Sequence, residues 1–335
     1  MKDFYDIYVY DSIISYLGNN KINGIKVELM EEEINEQVRY DCINRWENDE
    51  KSENFNQKYN EWIKTIPLEN RELIYKLLEK FNYYGHVSVN TYFKKLYLNI
   101  VEKYNIDNNE TMYTFIKKND SSFNSSMGYA YEFMRINKIS AKNSVLELRD
   151  LKSKEIEKIK NIVLIDDYSG SGNSIIKYIK KYNDIFSEKN VYILLVSMSE
   201  NADRHIIEEL KEYKINIIFE VMNIEKKAFS DVNFCKEEIS RRKEEFELIS
   251  RAKKIPNYIF GRYNTEALIS FYNNTPNNTL NLFWEKTSQN DPLFPRDINS
   301  SPDWRMIKKE KENRKLQNLN NTKILVKSVN KDGWV

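Results

Sequence analysis

The sequence has very little cysteine or histidine. Its 335 residues include two cysteines, Cys42 and Cys235, and two histidines, His86 and His205. Two cysteines exclude a disulfide framework and, because they do not stand at metal-ligand spacing, a zinc ribbon. Two histidines leave little for a histidine-built metal site or for a Ser-His-Asp triad. This cysteine usage fits a reducing, cytoplasmic environment.

Strong charge of one sign is also missing, as are long apolar runs. The 52 basic and 51 acidic side chains give a formal net charge of +1. Such a balance gives no general reason to expect a nucleic-acid or membrane partner, and nucleic acid stays an open question. The first twenty residues contain three aspartates and lack the basic start and apolar centre of a signal peptide. No stretch reaches the length of a transmembrane helix, so we expect no membrane partner.

Two segments depart from this charge balance. Residues 31–53 are rich in acidic side chains, and residues 305–335 are rich in basic ones. Each segment is either a solvated surface or the docking surface for a protein partner. Charge alone does not separate these two alternatives.

The first third of the chain has the pattern of a mainly helical region. Hydrophobic residues make up 41% of the sequence, which supports a packed core. Within 67–84 the apolar residues recur at steps of three and four. Pro67 suits a first helical turn and Gly85 suits a helix end. Trp46 and Trp62 are expected to anchor the core of this region.

The middle of the chain alternates between short apolar runs and helix-like stretches. The runs are rich in valine and isoleucine and lie at 162–165, 191–196 and 215–221, with helix-like stretches at 173–186 and 202–212. This alternation predicts parallel strands that are buried on both faces. Right-handed crossovers place the loops after these strands at one edge of the sheet, where ligands bind in open α/β sheets.

The last third of the chain combines a charged helix with a turn-rich segment. Residues 235–254 have the composition of a charged helix, and ALISFY at 267–272 is expected to form a further strand. The stretch 273–279 is rich in asparagine and contains a proline, as turns often do. These patterns predict a mainly helical N-terminal region (1–110), an α/β domain (111–284) and a basic C-terminal extension (285–335).

One strand-to-helix segment, IVLIDDYSGSGNSIIKYI at 162–179, carries the candidate site. Its apolar strand ends in two carboxylates, Asp166 and Asp167, and a loop with Gly170 and Gly172 leads into a helix. Glycines let backbone amides approach an anion, and a helix N-terminus adds unpaired N–H groups. Serine hydroxyls in the loop are further donors to phosphate oxygens, whereas the two carboxylates would repel a polyanion. The pair therefore fits hydrogen bonds from ribose hydroxyls, or a metal ion bound by a diphosphate.

Other loops that bind phosphates have different patterns. A Walker P-loop needs a GK[ST] sequence, which does not follow here. A Rossmann fingerprint has a third glycine, and its acidic residue follows the loop rather than preceding it. An ordinary tight strand-to-helix turn, with Asp167 near the helix cap, is the structural alternative.

The run of nine residues at 166–174 closely resembles the signature with which type I phosphoribosyltransferases bind 5-phosphoribosyl 1-pyrophosphate (PRPP). The resemblance implies that family's α/β fold, a parallel sheet flanked by helices. In the family, two acids bind the ribose 2′- and 3′-hydroxyls, and loop amides with a final hydroxyl hold the 5′-phosphate. It implies a catalytic, ribose-binding role for Asp166 and Asp167. The implied phosphate-binding residues are Ser169, Gly170, Ser171, Gly172, Asn173 and Ser174. Gly170 and Asn173 stand where threonine and glycine are common, and the loop length is unchanged.

A second loop, SSFNSSMGYAYEFMR at 121–135, is similar in character to the pyrophosphate loop of that family. The resemblance implies that Ser126 and Arg135 contact the ligand, with Arg262 or Arg296 as further cations for the leaving group. A capped helix start and ordinary ion pairs are the structural alternatives. The resemblance also implies Mg²⁺, chelated by the diphosphate of PRPP.

The chain resembles a bacterial subgroup of this family that has a helical N-terminal region and a C-terminal extension. The matching residues are NTPNNTL at 274–280, Phe-Trp at 283–284 and LFPR at 293–296. The resemblance implies transfer at ribose C1 with release of pyrophosphate, and a place in bacterial antiviral defence. The acceptor stays open: a base, a nucleotide, NAD or an RNA end. Two non-catalytic alternatives also stay open, a module that senses PRPP or nucleotides and a partner-binding subunit of a defence complex.

Overall fold

The structure is a computed structural model that describes residues 24–46, 48–117, 125–151 and 153–296. The α-helices in these ranges are α1 Gly24–Arg45, α2 Glu50–Lys64, α3 Arg71–Glu79, α4 His86–Tyr104, α5 Ser125–Ile136, α6 Ser153–Lys158, α7 Asn173–Lys181, α8 Asn183–Phe186, α9 Ala202–Leu210 and α10 Lys236–Ala252. The strands are β1 Asn82–Tyr84, β2 Thr111–Phe115, β3 Asn161–Ser169, β4 Asn190–Ser199, β5 Asn216–Glu225 and β6 Ile269–Phe271.

A parallel sheet with the strand order β2-β3-β4-β5 forms the centre of the fold. The three apolar runs of the sequence lie inside β3, β4 and β5, and every residue of β3 is buried. The register aligns Ile165 of β3 with Phe115 and Leu194 on either side. The α/β prediction of a parallel sheet flanked by helices is therefore confirmed.

Helices cover both faces of this sheet, as the strand pattern requires. Because side chains alternate along a strand, Val163 and Ile165 pack against α4 and α5, whereas Ile162 and Leu164 pack against α7 and α9. The apolar faces of these helices explain their positions on the sheet. They include Phe93 and Leu96 of α4, Tyr129 and Phe133 of α5, Ile175 and Ile179 of α7, and Ile206 and Leu210 of α9.

The order of the chain across the sheet reverses at β2. After α5 the chain runs to Ser144, which forms a parallel bridge with Tyr113 on the outer side of β2. The amide of Val145 donates to the Tyr113 carbonyl (3.2 Å), and the chain then returns through α6 to β3 on the inner side. In open α/β sheets, ligands bind outside the carboxyl ends of the strands that flank such a reversal. Here these strands are β2 and β3.

A second core joins the N-terminal helices to the last third of the chain. Residues from 38–83 and 228–294 form one apolar cluster, in which Phe81 and Phe294 stack with their ring centroids 4.4 Å apart. Trp46 and Trp62 are buried in this cluster, which confirms their prediction as core anchors. The predicted domain boundaries at residues 110 and 284 stay predictions.

The helix predicted over 67–84 ends earlier than expected. Helix α3 ends at Glu79, and Asn82–Tyr84 form β1, which pairs in parallel with β6. The tyrosines of β1 are residues that favour a strand. The strand with which they pair, β6, lies about 190 residues further along the chain. The predicted strand in ALISFY is confirmed as β6.

Two predicted features of the chain fall wholly or partly outside the described residues. The basic segment 305–335 lies outside them, as does 118–124, which includes the start of the predicted pyrophosphate loop. Among the described helices, none is both long enough and apolar enough to cross a membrane.

Candidate functional site

A cavity of about 570 Å³ lies at the carboxyl edge of β2 and β3. Its described lining comes from the position after β2, the end of β3 with the following loop, the first turns of α7, and three stretches from the last third of the chain. The lining positions are 117, 166–175, 177, 178, 181, 262, 263, 274–278 and 296. The cavity therefore stands at the strand reversal, where the fold predicts a ligand.

The two carboxylates of β3 form one wall of this cavity. Asp166 and Asp167 are 2% and 7% exposed. Each side chain accepts a hydrogen bond from the next backbone amide: Asp167 N donates to Asp166 Oδ1 (2.9 Å), and Tyr168 N donates to Asp167 Oδ1 (2.8 Å). These bonds fix the direction of both carboxylates, so that adjacent acids of one strand reach the same cavity.

The glycines of the loop at 169–174 occupy positions that other residues would strain. Gly172 directly precedes α7 and has φ +78°. This is a left-handed backbone conformation that glycine adopts without steric cost. A Cβ atom on Gly172 would also lie 2.6 Å from the Ile206 side chain. At Gly170 a Cβ atom would lie 2.4 Å from the Asn278 side chain. The loop is thus packed between α9 and the turn that carries Asn278.

The loop leads directly into the N-terminus of α7. The first intrahelical bond runs from Ile176 N to Gly172 O (3.0 Å), so the amides of residues 173–175 have no acceptor within the helix, and of these Asn173 N donates to Ser171 Oγ (3.4 Å). Asn173 Nδ2 donates to Ser171 Oγ (3.1 Å), and Ser199 Oγ donates to the Gly170 carbonyl. Unpaired amides, hydroxyls and the positive end of the helix dipole together form a site for an anion.

A turn at residues 274–278, called the roof turn below, closes the cavity from above the loop. It contains the five residues Asn274, Thr275, Pro276, Asn277 and Asn278, all of which line the cavity. Arg262 N donates to the Asn277 carbonyl (2.8 Å), and Asn278 Nδ2 donates to the Arg262 carbonyl (3.2 Å). The asparagine-rich stretch singled out in the sequence is therefore a part of the cavity.

Basic side chains outnumber acidic ones in the cavity. The basic ones are Lys117, Lys177, Lys181, Arg262 and Arg296, and the acidic ones are Asp166 and Asp167. Burial lowers the pKa of Arg296, while Asp167 and Glu285 oppose that effect. Lys117 Nζ contacts Glu147 Oε2 at 2.8 Å, and this hydrogen bond raises the pKa of Lys117. The cavity combines a carboxylate pair for a polyol with cations for an anion.

The structure brings together eight of the ten residues that the sequence predicted for the site. Asp166, Asp167 and the six residues at 169–174 all line the cavity. Arg262 and Arg296, named as further cations, line it as well, and within the described ranges neither forms an ion pair. The structural alternative considered for these two arginines, an ordinary ion pair, is therefore not observed among the described residues.

The other two predicted residues, Ser126 and Arg135, lie on α5 and not in the described lining. The guanidinium of Arg135 contacts Glu132 at 2.6 Å and is more than half exposed. Ser126 is buried, and its Oγ has no hydrogen-bond partner among the described residues.

Three lysines of the cavity were not predicted from the sequence. Lys177 and Lys181 stand one turn apart on α7, which is a spacing that places both on one face of the helix. Lys117 follows β2, a five-residue strand whose threonines interrupt its apolar character. Because β2 was not recognised, its carboxyl end could not be identified as a site position.

Metal binding by this cavity would have to rely on few protein ligands. Within the described ranges there is no cluster of three histidine, cysteine, aspartate or glutamate side chains that could hold a metal ion. Mg²⁺ often keeps several water ligands and takes only one or two carboxylates besides substrate phosphates. Asp166 and Asp167 are sufficient for that mode of binding.

Comparison with known proteins adds a family to this geometry. The family model described as PRTase-CE matches residues 59–296, more than two thirds of the chain. Among solved structures, a Helicobacter pylori xanthine-guanine-hypoxanthine phosphoribosyltransferase is similar at 14% sequence identity, with a TM-score of 0.28. That similarity covers 43% of this chain and 90% of that chain. No curated protein sequence has significant similarity to the chain.

Proposed function

The chain belongs to the PRTase-CE family, and from this premise we propose that it binds PRPP or a related ribose 5-phosphate in the cavity between β2, β3 and the roof turn. One observation carries the proposal. The whole run 166–174, which resembles the PRPP-binding signature, lines a single cavity together with five cations. A tight structural turn would not need a cavity of this size or this charge.

In the proposed complex, Asp166 and Asp167 accept hydrogen bonds from the ribose 2′- and 3′-hydroxyls. The 5′-phosphate lies against the loop at 169–174 and the N-terminus of α7. Its oxygens accept hydrogen bonds from backbone amides and from the hydroxyls of Ser171 and Ser174. The fixed carboxylates and the packed loop are preorganised, so little ordering entropy is lost on binding.

Arg296 and Arg262 are the proposed cations for the diphosphate at C1. Both line the cavity, and the carboxylate of Asp167 interacts electrostatically with Arg296. Arg135 is a weaker candidate because Glu132 holds its guanidinium. Ser126 and the loop at 121–135 keep the role that the sequence predicted, as a proposal.

The proposed reaction exchanges one bond at ribose C1. The bond between C1 and the pyrophosphate oxygen breaks, and its electron pair leaves with pyrophosphate. A lone pair of the acceptor forms the new bond to C1, and the acceptor loses a proton to solvent. The protein positions the ribose and stabilises the developing charges. Bound Mg²⁺, held by the diphosphate and the carboxylates of Asp166 and Asp167, would neutralise negative charge on the leaving group.

A non-catalytic module that senses PRPP or nucleotides is the alternative function. It would use the same cavity, and it differs from a transferase only in the absence of turnover. The proposed places in the cytoplasm and in bacterial defence rest on the sequence alone, namely on cysteine usage and on the subgroup resemblance.

A calorimetric titration with Mg²⁺-PRPP and with ribose 5-phosphate tests the binding proposal. The variant Asp166→Asn/Asp167→Asn keeps the shape of both side chains and removes the charges that accept the ribose hydroxyl bonds. Charged hydrogen bonds contribute about 1.5–3 kcal/mol each, so we expect the variant to bind at least about a hundredfold more weakly. Asp231→Asn is the matched control, because Asp231 is exposed and outside the cavity lining.

Equal binding by wild type and the double variant would contradict the assignment of the cavity. Release of pyrophosphate, measured with a panel of nucleobases and nucleotides, then separates the two functions. Turnover that the double variant loses indicates a transferase. Tight binding without turnover indicates a sensor.

A further inference from the structure

The roof turn is held in place by a hydroxyl at its centre. Thr275 is fully buried, and its Oγ1 donates to the Phe294 carbonyl (2.9 Å). It lies 2.8 Å from Ser270 Oγ and accepts from Lys51 Nζ (3.2 Å). A hydroxyl has one proton to donate and two lone pairs to accept, so these three partners satisfy it completely.

The same residue holds a cation of the cavity. Arg296 Nη1 donates to the Thr275 carbonyl (3.2 Å), and its guanidinium lies over the Trp284 ring, 5.8 Å from the centroid. Arg296 is close enough to Asp167 for the carboxylate to act on it electrostatically. Movement of Thr275 would therefore move the guanidinium relative to the carboxylate pair.

Lys51 reaches the roof turn from the N-terminal helical region. It stands in the first turn of α2, and its Nζ donates to the Phe271 carbonyl (2.9 Å) as well as to Thr275 Oγ1. Asp49 fixes this first turn through a capping box. A lysine at the start of a helix is opposed by the helix dipole. Its position is explained by the two acceptors that it reaches at the roof turn.

We propose that Lys51 is a positioning residue for the cavity: it holds the roof turn through Thr275, and the roof turn holds Arg296 near Asp167. None of the described residues before 117 lines the cavity, so Lys51 acts on the ligand indirectly, through the roof turn. The N-terminal helical region is then a functional part of the site. The ligand-binding test of this inference rests on the proposed function, whereas the hydrogen-exchange test does not.

The ligand test compares two lysines of α2. Lys51→Met keeps the length of the side chain and removes both charged hydrogen bonds. Lys58→Met is the matched control, because Lys58 contacts only the exposed Asp291 (3.1 Å) in the described structure and lies on the same helix. We expect Lys51→Met to bind ribose 5-phosphate about tenfold more weakly. Lys58→Met should stay within about twofold of wild type.

Two further variants distinguish positioning from general loss of structure. Lys51→Arg keeps a cation that reaches the same acceptors, so it should restore most of the affinity. In an Arg296→Gln background, Lys51→Met should have no further effect, because its effect passes through Arg296. An equal loss of affinity in both backgrounds, or an unchanged affinity in Lys51→Met, overturns the proposal.

Hydrogen exchange of the ligand-free protein tests the same inference without the proposed function. The amide of Thr275 donates to Asn274 Oδ1 within the roof turn (2.9 Å), and the amide of Thr279, the residue after the turn, donates to the Pro276 carbonyl within it (3.1 Å). They should exchange faster in Lys51→Met than in wild type or Lys58→Met. Equal exchange rates overturn the inference. If wild type fails to bind ribose 5-phosphate while exchange rises as expected, only the proposed function fails.

Discussion

At the scale of single residues, two glycines of the chain have opposite requirements. Gly172 has φ +78° and a neighbouring side chain where a Cβ would stand, whereas Gly128 lies within α5 with nothing within 4 Å of a Cβ. We expect Gly172→Ala to lower the free energy of unfolding by about 1–3 kcal/mol. Gly128→Ala should raise it by about 0.5–1 kcal/mol, because alanine favours a helix. Urea denaturation measures both, and equal effects would contradict the strained conformation of the loop.

The arginines give a second prediction at this scale. Arg296 lines the cavity and Arg135 is held by Glu132 outside its described lining. We expect Arg296→Gln to weaken Mg²⁺-PRPP binding by about tenfold to a hundredfold, as for loss of a charged hydrogen bond. Arg135→Gln should bind like wild type in the same calorimetric titration. The reverse order would favour the sequence prediction over the geometry.

The site was predictable at this scale where a local pattern encodes it. Strand, acid pair, glycines and helix start all lie within 162–179, so the pattern of this one segment and its resemblance to the PRPP-binding signature predicted eight lining residues. Arg135 was favoured because it follows a small-residue loop, although Glu132 stands three positions earlier on the same helix, a spacing at which the two side chains can pair. The lysines were missed because a solvent-exposed lysine has the same pattern whether or not it borders a cavity.

At the scale of elements, β1 is held to the sheet by a buried carboxylate. Glu225 at the end of β5 accepts from Tyr84 Oη (2.8 Å), Asn82 Nδ2 (2.9 Å) and Ser197 Oγ (2.8 Å). Burial and the neighbouring Glu225 raise the pKa of Tyr84, so its hydroxyl stays a donor. The β1–β6 pair, which leads into the roof turn, is thereby fixed to β5.

The carboxylate of Glu225 is therefore expected to be important for stability. In Glu225→Gln an amide N–H₂ would face donors that now have an acceptor, which costs about 1–3 kcal/mol. Glu200→Gln is the control, because Glu200 forms a partly exposed ion pair with Lys226 (2.6 Å) worth about 0–1 kcal/mol. Thermal unfolding measures both variants. Equal shifts in melting temperature would contradict the role of Glu225.

Elements were predictable where periodicity is long and local. The runs in β3, β4 and β5 are apolar enough to be recognised, and α10 was predicted to within two residues at each end. Strand β1 was predicted as helix because its three residues follow a helical pattern and its partner is distant in sequence. The bridge at Ser144, which sets the strand reversal, is a single residue pair and has no sequence signal.

At the scale of the whole molecule, one core couples the two ends of the described chain. The packing of 38–83 against 228–294 could not be predicted, because no sequence pattern within either segment indicates that it contacts the other. The acidic segment 31–53 contributes to this region, and part of its charge is paired internally. Glu31 contacts Arg71 at 2.9 Å, and Glu36 contacts Arg39 at 2.5 Å. Docking of a partner through 31–53 or 305–335 stays a prediction.

The two cysteines report on this core. Cys42 is fully buried in it, and burial raises the pKa of its thiol to about 11, whereas Cys235 is exposed. At pH 8 we expect Ellman's reagent to label one thiol in the native protein and two in denaturant. Rapid labelling of both thiols in the native protein would contradict the burial of Cys42 in this core.

The same thiol gives a direction for the pH dependence of stability. The raised native pKa means that the folded protein holds the proton of Cys42 more tightly than the unfolded chain does. The contribution of Cys42 to stability is therefore complete below the ordinary thiol pKa near 9. It is lost progressively as the pH rises from about 9 to about 11. Urea denaturation across this pH range measures the free energy of unfolding of wild type and of Cys42→Ala. The loss of stability that comes from Cys42 should be seen in wild type and be absent in the variant.

The most direct test of the central claim is a crystal structure of the protein with ribose 5-phosphate. The phosphate should lie within about 3 Å of backbone amides at 170–174, with the ribose 2′- and 3′-hydroxyls on Asp166 and Asp167. Such a complex would establish the cavity as a ribose-phosphate site and direct attention to the acceptor. A ribose phosphate bound elsewhere, with this cavity filled only by water, would contradict the claim.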